Sequence, residues 1–257
     1  MNLSDRFNII VAVNDWTVCE GCIQLSPFYL NNNRAFRFYE NNLSASITYN
    51  SGIHDRNSEY LVFAHQDVYF PNGWFSNLSR IIDELNKKDK KWAVLGIIGV
   101  DINGAIEGRT WSTGLRKEVG CSLTYPRLVQ SIDELVIVIN RIAGIVFDEK
   151  LPGFHLYGTD IVQTAILNGF SAYVIDNPVI HNSLPIIKLD NGFTKAYRYM
   201  KKKWKTILPI KSPVTTITRY GYPLFKKRIR QMLKYTDRGS FSRLADPGLK
   251  AKELGYE

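Results

Sequence analysis

Residue types able to hold a divalent cation or move a proton stand at the ends of apolar runs in this chain. The run Tyr60-Leu61-Val62-Phe63-Ala64 passes directly into His65-Gln66-Asp67. A carboxylate just past a buried strand can hold a divalent cation against a diphosphate and neutralise charge on a departing nucleotide. The bland alternative is a turn with a solvated acid. A second acid, Asp160, follows Gly153-Phe154-His155-Leu156-Tyr157-Gly158-Thr159 and precedes the helical run IVQTAILNG, which Gly169 ends. Near a helix N-terminus a carboxylate stays ionised and can act as a general base; with Thr159 it can equally well just cap the helix. His181 closes the apolar pair Val179-Ile180 and is either a third cation ligand or an ordinary hydrogen-bonded histidine.

The elements that must position these groups alternate. Phe7 to Val13 predicts an opening strand, followed by Asn14, Asp15 and a helical stretch toward Leu25. Ser44 to Ile53 predicts a helix, Glu59 to Ala64 a strand, Gly73 to Asn86 a helix and Trp92 to Val100 a strand. Strands at Leu135 to Asn140 and Ser171 to Ile175 follow. Such alternation predicts an α/β fold with a mostly parallel central sheet and helices on both faces, its ligands gathered at the carboxyl edge of the strands. The stretch Asp101 to Gly114 reads as a hairpin or an excursion off the sheet, able to close over a substrate, and Asp133-Glu134 as a turn or a functional corner. Neither G-x-G-x-x-G nor G-x-x-x-x-G-K-[ST] occurs, so a dinucleotide or P-loop site is not expected.

With 257 residues, 45% of them hydrophobic and 22% charged, the chain can bury its own core. No run approaches the roughly 20 apolar residues of a membrane span, and the start MNLSDRFNIIVAVN does not read as a signal peptide, so the expected address is the cytoplasm. Cys19 and Cys22 form a C-x-x-C without a second metal-spaced pair, and Cys121 stands alone, which favours packing over redox or zinc chemistry. The net charge of +9 is uneven: residues 191–257 carry 17 Lys or Arg against 4 Asp or Glu, and residues 1–190 carry 16 against 20. That shift predicts a boundary near residue 190, between a domain over 1–190 and a basic, mainly helical extension over 191–257.

Taken in order, VAVND, YNSGI, FAHQDVYF, VQSIDE, LPGFHLYGTDIVQTAILNG and VIHNS resemble a bacterial glycosyltransferase of the family 2 type with the GT-A fold, in the branch whose acidic triplet reads H-Q-D. The resemblance covers roughly residues 7–185. It implies transfer of a sugar from a nucleotide-sugar donor to a hydroxyl of a glycan or lipid-linked acceptor, with inversion and with manganese or magnesium as cofactor, in polysaccharide biosynthesis. It points to Asn14 and Asp15 at the nucleoside, to Asn50, His65, Gln66, His155 and Tyr157 around the nucleotide sugar, to Asp67 and His181 at the metal, and to Asp160 as general base. Thr159 stands where the family has an acid before the base, and His65 where many relatives have Asp. These departures leave a catalytically silent nucleotide-sugar binder as an alternative.

In the extension, Phe225, Ile229, Met232 and Leu233 recur at helical spacing among Lys226, Lys227, Arg228, Arg230 and Lys234. This basic amphipathic helix either packs on the domain or lies on the anionic inner face of the cell membrane, as a peripheral contact. Trp204, Tyr197, Tyr199 and Tyr220 interleave with the basic clusters as in a nucleic-acid binder, but the net acidic first part and the lack of a nucleic-acid motif argue against that partner.

Overall fold

Apolar runs long enough to be covered on both faces make the centre of this molecule. The computed structural model describes residues 3–40, 43–55, 57–186, 188–233 and 241–257. Its main sheet has seven strands in the order Phe36–Glu40, Phe7–Val13, Tyr60–His65, Val136–Asn140, Trp92–Gly96, Ser171–Val174 and Arg127–Leu128. Five of the seven run the same way, and Val136–Asn140 and Arg127–Leu128 run against them. The fold is thus α/β with a large, mostly parallel sheet.

Alternation along each strand feeds two cores. Ile10, Leu61 and Phe63 point to the face that also holds Tyr49, Tyr157 and Met200. Ile9, Val62 and Ala64 point to the other, with Trp74, Leu78 and Ile82. The helix Trp74–Lys88 covers this second face with Trp74, Phe75, Leu78, Ile81, Ile82 and Leu85, the helical spacing expected of a one-sided element. Each such side chain contributes about 1.5–3 kcal/mol by leaving water.

Some elements differ from the sequence expectation. The edge strand Phe36–Glu40 falls in a stretch with no expected element; it is short, half-buried over 37–39 and exposed at Glu40. Trp92 to Val100 is two strands: Trp92–Gly96 stays in the main sheet, and Ile98–Val100 turns into a second sheet with Ser131–Ile132, Ile106–Ser112, Ile180–His181 and Val68–Tyr69. Asp101 to Gly114 is therefore a hairpin, closed by Gly104 N–H donating to the Asp101 side chain at 2.7 Å.

Charge changes near residue 190, and packing continues past it. The helix Asn191–Lys203 sends Phe193, Ala196, Tyr197 and Met200 into the core that holds Tyr49 and Tyr157. The basic helix Tyr222–Leu233 buries Leu224, while Lys227 donates to the Val214 carbonyl and Arg228 to the Asp190 carbonyl and the Thr194 hydroxyl. Phe225 and Ile229 stay 62% and 39% exposed; the Met232 and Leu233 side chains, and Lys234, lie outside the described residues. Among the described residues no helix is long and apolar enough to cross a membrane.

Candidate functional site

Strand ends and the pairing of the second sheet bring His65, Asp67 and His181 together. His65 is the last residue of Tyr60–His65, and Asp67 ends the turn into Val68–Tyr69, which pairs antiparallel with Ile180–His181, so His181 lies opposite Val68. Potential ligand atoms of the three lie within 4.8 Å of one another. His181 Nε2 is 3.4 Å from Asp67 Oδ2. Two ligands on bonds of about 2.1 Å stand roughly 3.0–3.4 Å apart, so this spacing fits a shared divalent ion.

Tyr157 and the Glu134 carbonyl support the His65 ring. His65 Nε2 is 2.7 Å from the Tyr157 hydroxyl, which donates its own proton to the Glu134 carbonyl at 3.2 Å. With that proton on the carbonyl, the hydroxyl accepts from Nε2–H, and the Nδ1 lone pair is the one left for a cation. Burial pulls the His65 pKa down, so the ring is neutral as a ligand requires. Burial pushes the Asp67 carboxyl up, but the charge and hydrogen bond of His181, with the charge of Arg243, outweigh it and hold that group well below the carboxylate range. Burial likewise works against a proton on His181, and Asp67 overcomes it, raising that pKa.

Gln66 shapes the neighbouring loop. Its Oε1 accepts from the backbone N–H of Asn14 at 2.8 Å and of Asp15 at 3.0 Å, and its Nε2 donates to Asn14 Oδ1. Asp15 accepts from Val18 N as the cap of Trp16–Glu20. Ala12, Asn14, Tyr39, Tyr49, Asp67 and Phe154 help line a cavity of about 300 Å³ here. A second cavity, of about 370 Å³, has His181 and Asp133 in its wall with Ser112, Leu115 and Leu184. The three-residue cluster lies between the two.

Other expected site residues have different partners. Asp160 does not begin its helix, which starts three residues earlier at Tyr157, with Leu156 as cap. Its side chain is turned to the Asn191–Lys203 helix: Oδ2 receives Lys203 Nζ at 2.8 Å and Oδ1 receives Trp204 Nε1 at 2.7 Å. Only 2% of Asp160 is exposed, and Lys203 also bridges to Asp148 at 2.7 Å. Burial pushes the Asp160 carboxyl up despite this pairing. Asp160 so placed ties two helices together and has both oxygens engaged. Asn50 is likewise committed, donating to the Phe147 carbonyl at 2.9 Å and accepting from Phe147 N at 3.0 Å. His155 meets Asp190 at 3.3 Å and stacks edge-on against Phe193.

Sequence reasoning left Asp133 and Glu134 between a turn and a functional corner. They precede Val136–Asn140, and because that strand runs antiparallel its beginning lies at the edge where Tyr60–His65 ends. Glu134 faces the backbone N–H groups of Leu156 and Gly158; burial, with Asp133 beside it, pushes its carboxyl well up. Asn182 and Arg243 were also missed. Asn182 was legible as the neighbour of His181, but Arg243, 62 positions after His181, gave no signal.

No family model matches the chain. A curated relative from Fuscovulum blasticum, "ATP synthase subunits region ORF 6", is 27% identical over 157 residues, 58% of this chain and 61% of the relative, so the match spans less than two thirds of that protein. Similar solved structures include S. aureus TarS, at 13% identity and a TM-score of 0.49, covering 78% of this chain and 40% of that one. GalNAc-T7 with UDP, GalNAc and Mn²⁺ gives 12% and 0.48, with 79% and 51% covered. The mannosyltransferase PcManGT from Pyrobaculum calidifontis, with GDP-Man and Mn²⁺, gives 10% and 0.43, with 77% and 60% covered.

Proposed function

We propose that this chain is a GT-A-type glycosyltransferase of the family 2 kind, moving a sugar from a nucleoside-diphosphate donor to an acceptor hydroxyl. The observation that carries the reading is the His65–Asp67–His181 cluster at the carboxyl edge of the sheet, set between two cavities. Two imidazoles and one carboxylate suit manganese better than magnesium, which prefers oxygen alone. A cation held there supplies charge stabilisation to the leaving diphosphate.

Donor and acceptor then divide between the cavities. The nucleotide occupies the one shaped by Gln66, Asn14 and Asp15, and the acceptor the one walled by Asp133 and His181. Attack from the acceptor side, opposite the diphosphate, inverts the anomeric centre. The hydroxyl is too weak an acid to ionise first, so its proton leaves as the new bond forms. The family resemblance gives this step to Asp160. Its engaged oxygens favour Asp133, which already lines the acceptor cavity. Exposed Leu115, Leu184 and Ile186 in that cavity support a lipid-linked or glycan acceptor, and Phe225 and Ile229 among lysines and arginines support peripheral binding to an anionic membrane.

The test is a thermal-shift panel of UDP- and GDP-sugars with manganese, magnesium or ferrous ion, since the same ligand set also suits iron. Donor hydrolysis by wild type, Asp67→Asn, Asp133→Asn and Asp160→Asn follows. Manganese-dependent donor binding, lost in Asp67→Asn, is the expected result; a wild type that binds no nucleotide sugar with any of these ions ends the proposal.

A further inference from the structure

The segment from Phe241 onward returns to the cluster and is fastened there. Asn182, next to His181, donates to the Leu244 carbonyl at 3.0 Å and accepts from Leu244 N at 2.7 Å, while its own N–H donates to the Asp67 carbonyl at 2.8 Å. One side chain thus joins the segment to the backbone of the cluster. On one side of this clamp the Arg116 guanidinium lies 3.9 Å from the centre of the Phe241 ring. On the other, the helix Pro247–Glu253 buries Ala251 against Tyr69 and Ile180, and Tyr256 donates to Glu118.

Arg243 sits inside these fastenings, one residue before the clamped Leu244. Its Nε is buried and has no hydrogen-bond partner among the described residues. A buried N–H left unpaired costs about 1–3 kcal/mol. Its charge bears on both Asp67 and His181. A guanidinium beside a cation site is repelled once the cation binds, because Asp67 alone cannot balance a divalent ion and an arginine. An anion of two or more charges between them removes the repulsion and gives the idle N–H an acceptor.

We propose that Arg243, delivered by the Asn182-clamped C-terminal segment, binds the diphosphate of the donor opposite the His65–Asp67–His181 cation. This rests on the nucleotide-sugar reading of the cluster. The planar fork of arginine matches phosphate oxygens two at a time, which a lysine ammonium cannot do.

Isothermal titration of the whole chain tests it, with uridine and guanosine diphosphates as probes in the presence of manganese, the matching monophosphates as controls, and manganese alone. Arg243→Gln should weaken diphosphate binding by about 10–100-fold, weaken monophosphate binding less, and leave manganese binding without nucleotide unchanged or tighter. Arg243→Lys should recover only part of the loss, and serves as the charge-preserving variant if the Gln form is poorly folded. Diphosphate binding equal to wild type in both variants, while Asp67→Asn abolishes it, overturns the role of Arg243 and leaves the nucleotide-sugar reading standing. Equal weakening of manganese alone and of manganese diphosphate also overturns it, because that marks a purely structural arginine. A wild type that binds neither diphosphate removes both readings together.

Discussion

Replacing Lys203 by Met separates a structural Asp160 from a catalytic one. The substitution removes the ammonium that lies 2.8 Å from a carboxylate only 2% exposed, and leaves the Trp204 indole N–H donating to it. Orphaning a buried charge costs about 3–5 kcal/mol. The carboxylate can escape by taking a proton, however. From an ordinary pKa of about 3.9 that step costs about 4 kcal/mol at pH 7 and about 1.5 at pH 5, which caps the penalty at each pH. The sign follows from the raised carboxyl of Asp160: its ionised form opposes folding above the folded pKa, and that opposition fades as pH falls. Calorimetric melts of Lys203→Met should therefore show a loss of about 3–4 kcal/mol at pH 7, shrinking to about 1–1.5 kcal/mol at pH 5. With about 2–4 °C per kcal/mol in a domain of this size, the drop in Tm at pH 7 is about 10 °C. Asp160→Asn in the Lys203→Met background should restore stability, since the amide keeps an acceptor for Trp204 without a charge. A penalty that stays constant with pH, or falls below 1 kcal/mol, refutes this account. In the single variant Asp160→Asn, a loss of turnover of about 10²–10⁴-fold at unchanged Tm would instead make Asp160 the base.

Asn182→Leu removes the clamp on Leu244 and should cost about 2 kcal/mol, with the Leu244 amide exchanging much faster by mass spectrometry; unchanged exchange would show that the helix Pro247–Glu253 alone holds the segment. Tyr157→Phe deprives His65 Nε2 of its acceptor and should weaken manganese binding about tenfold in titration; equal affinity would mean that the ring needs no such orientation. Gly158→Ala puts a Cβ 2.8 Å from the Ile132 carbonyl and should lower stability by about 1–3 kcal/mol in urea melts, against no change if that loop can shift freely.

Where a signal was local, the sequence carried it. The buried run Tyr60 to Ala64 and the polar triplet after it placed His65 and Asp67 at a strand end, because five of the seven main strands share one direction. His181 was legible for the same reason, an apolar pair ending in a polar residue. Asp160 shows the limit. Its distance from a helix start was readable to within a turn, but the direction of its side chain depends on Lys203 and Trp204, 43 and 44 positions away. Asp133 and Glu134 were hard to place because alternating strands and helices imply parallel neighbours, and a strand inserted against the grain delivers its first residues, rather than its last, to the working edge. The edge strand Phe36–Glu40 escaped for want of a buried face: only Phe36 in it is fully covered.

The placing of Leu244 against Asn182 has a practical side for anyone who modifies this protein. Phe7 opens its strand at the opposite rim of the sheet, about 20 Å from the residues after Val13, so labels, tags or surface tethers joined ahead of Leu3 stay remote from the His65–Asp67–His181 cluster at the other rim. The same attachments joined behind Glu257, whose carboxylate receives Tyr69 at 3.2 Å and Asn72 N at 3.3 Å, would pull on the cord that carries Arg243.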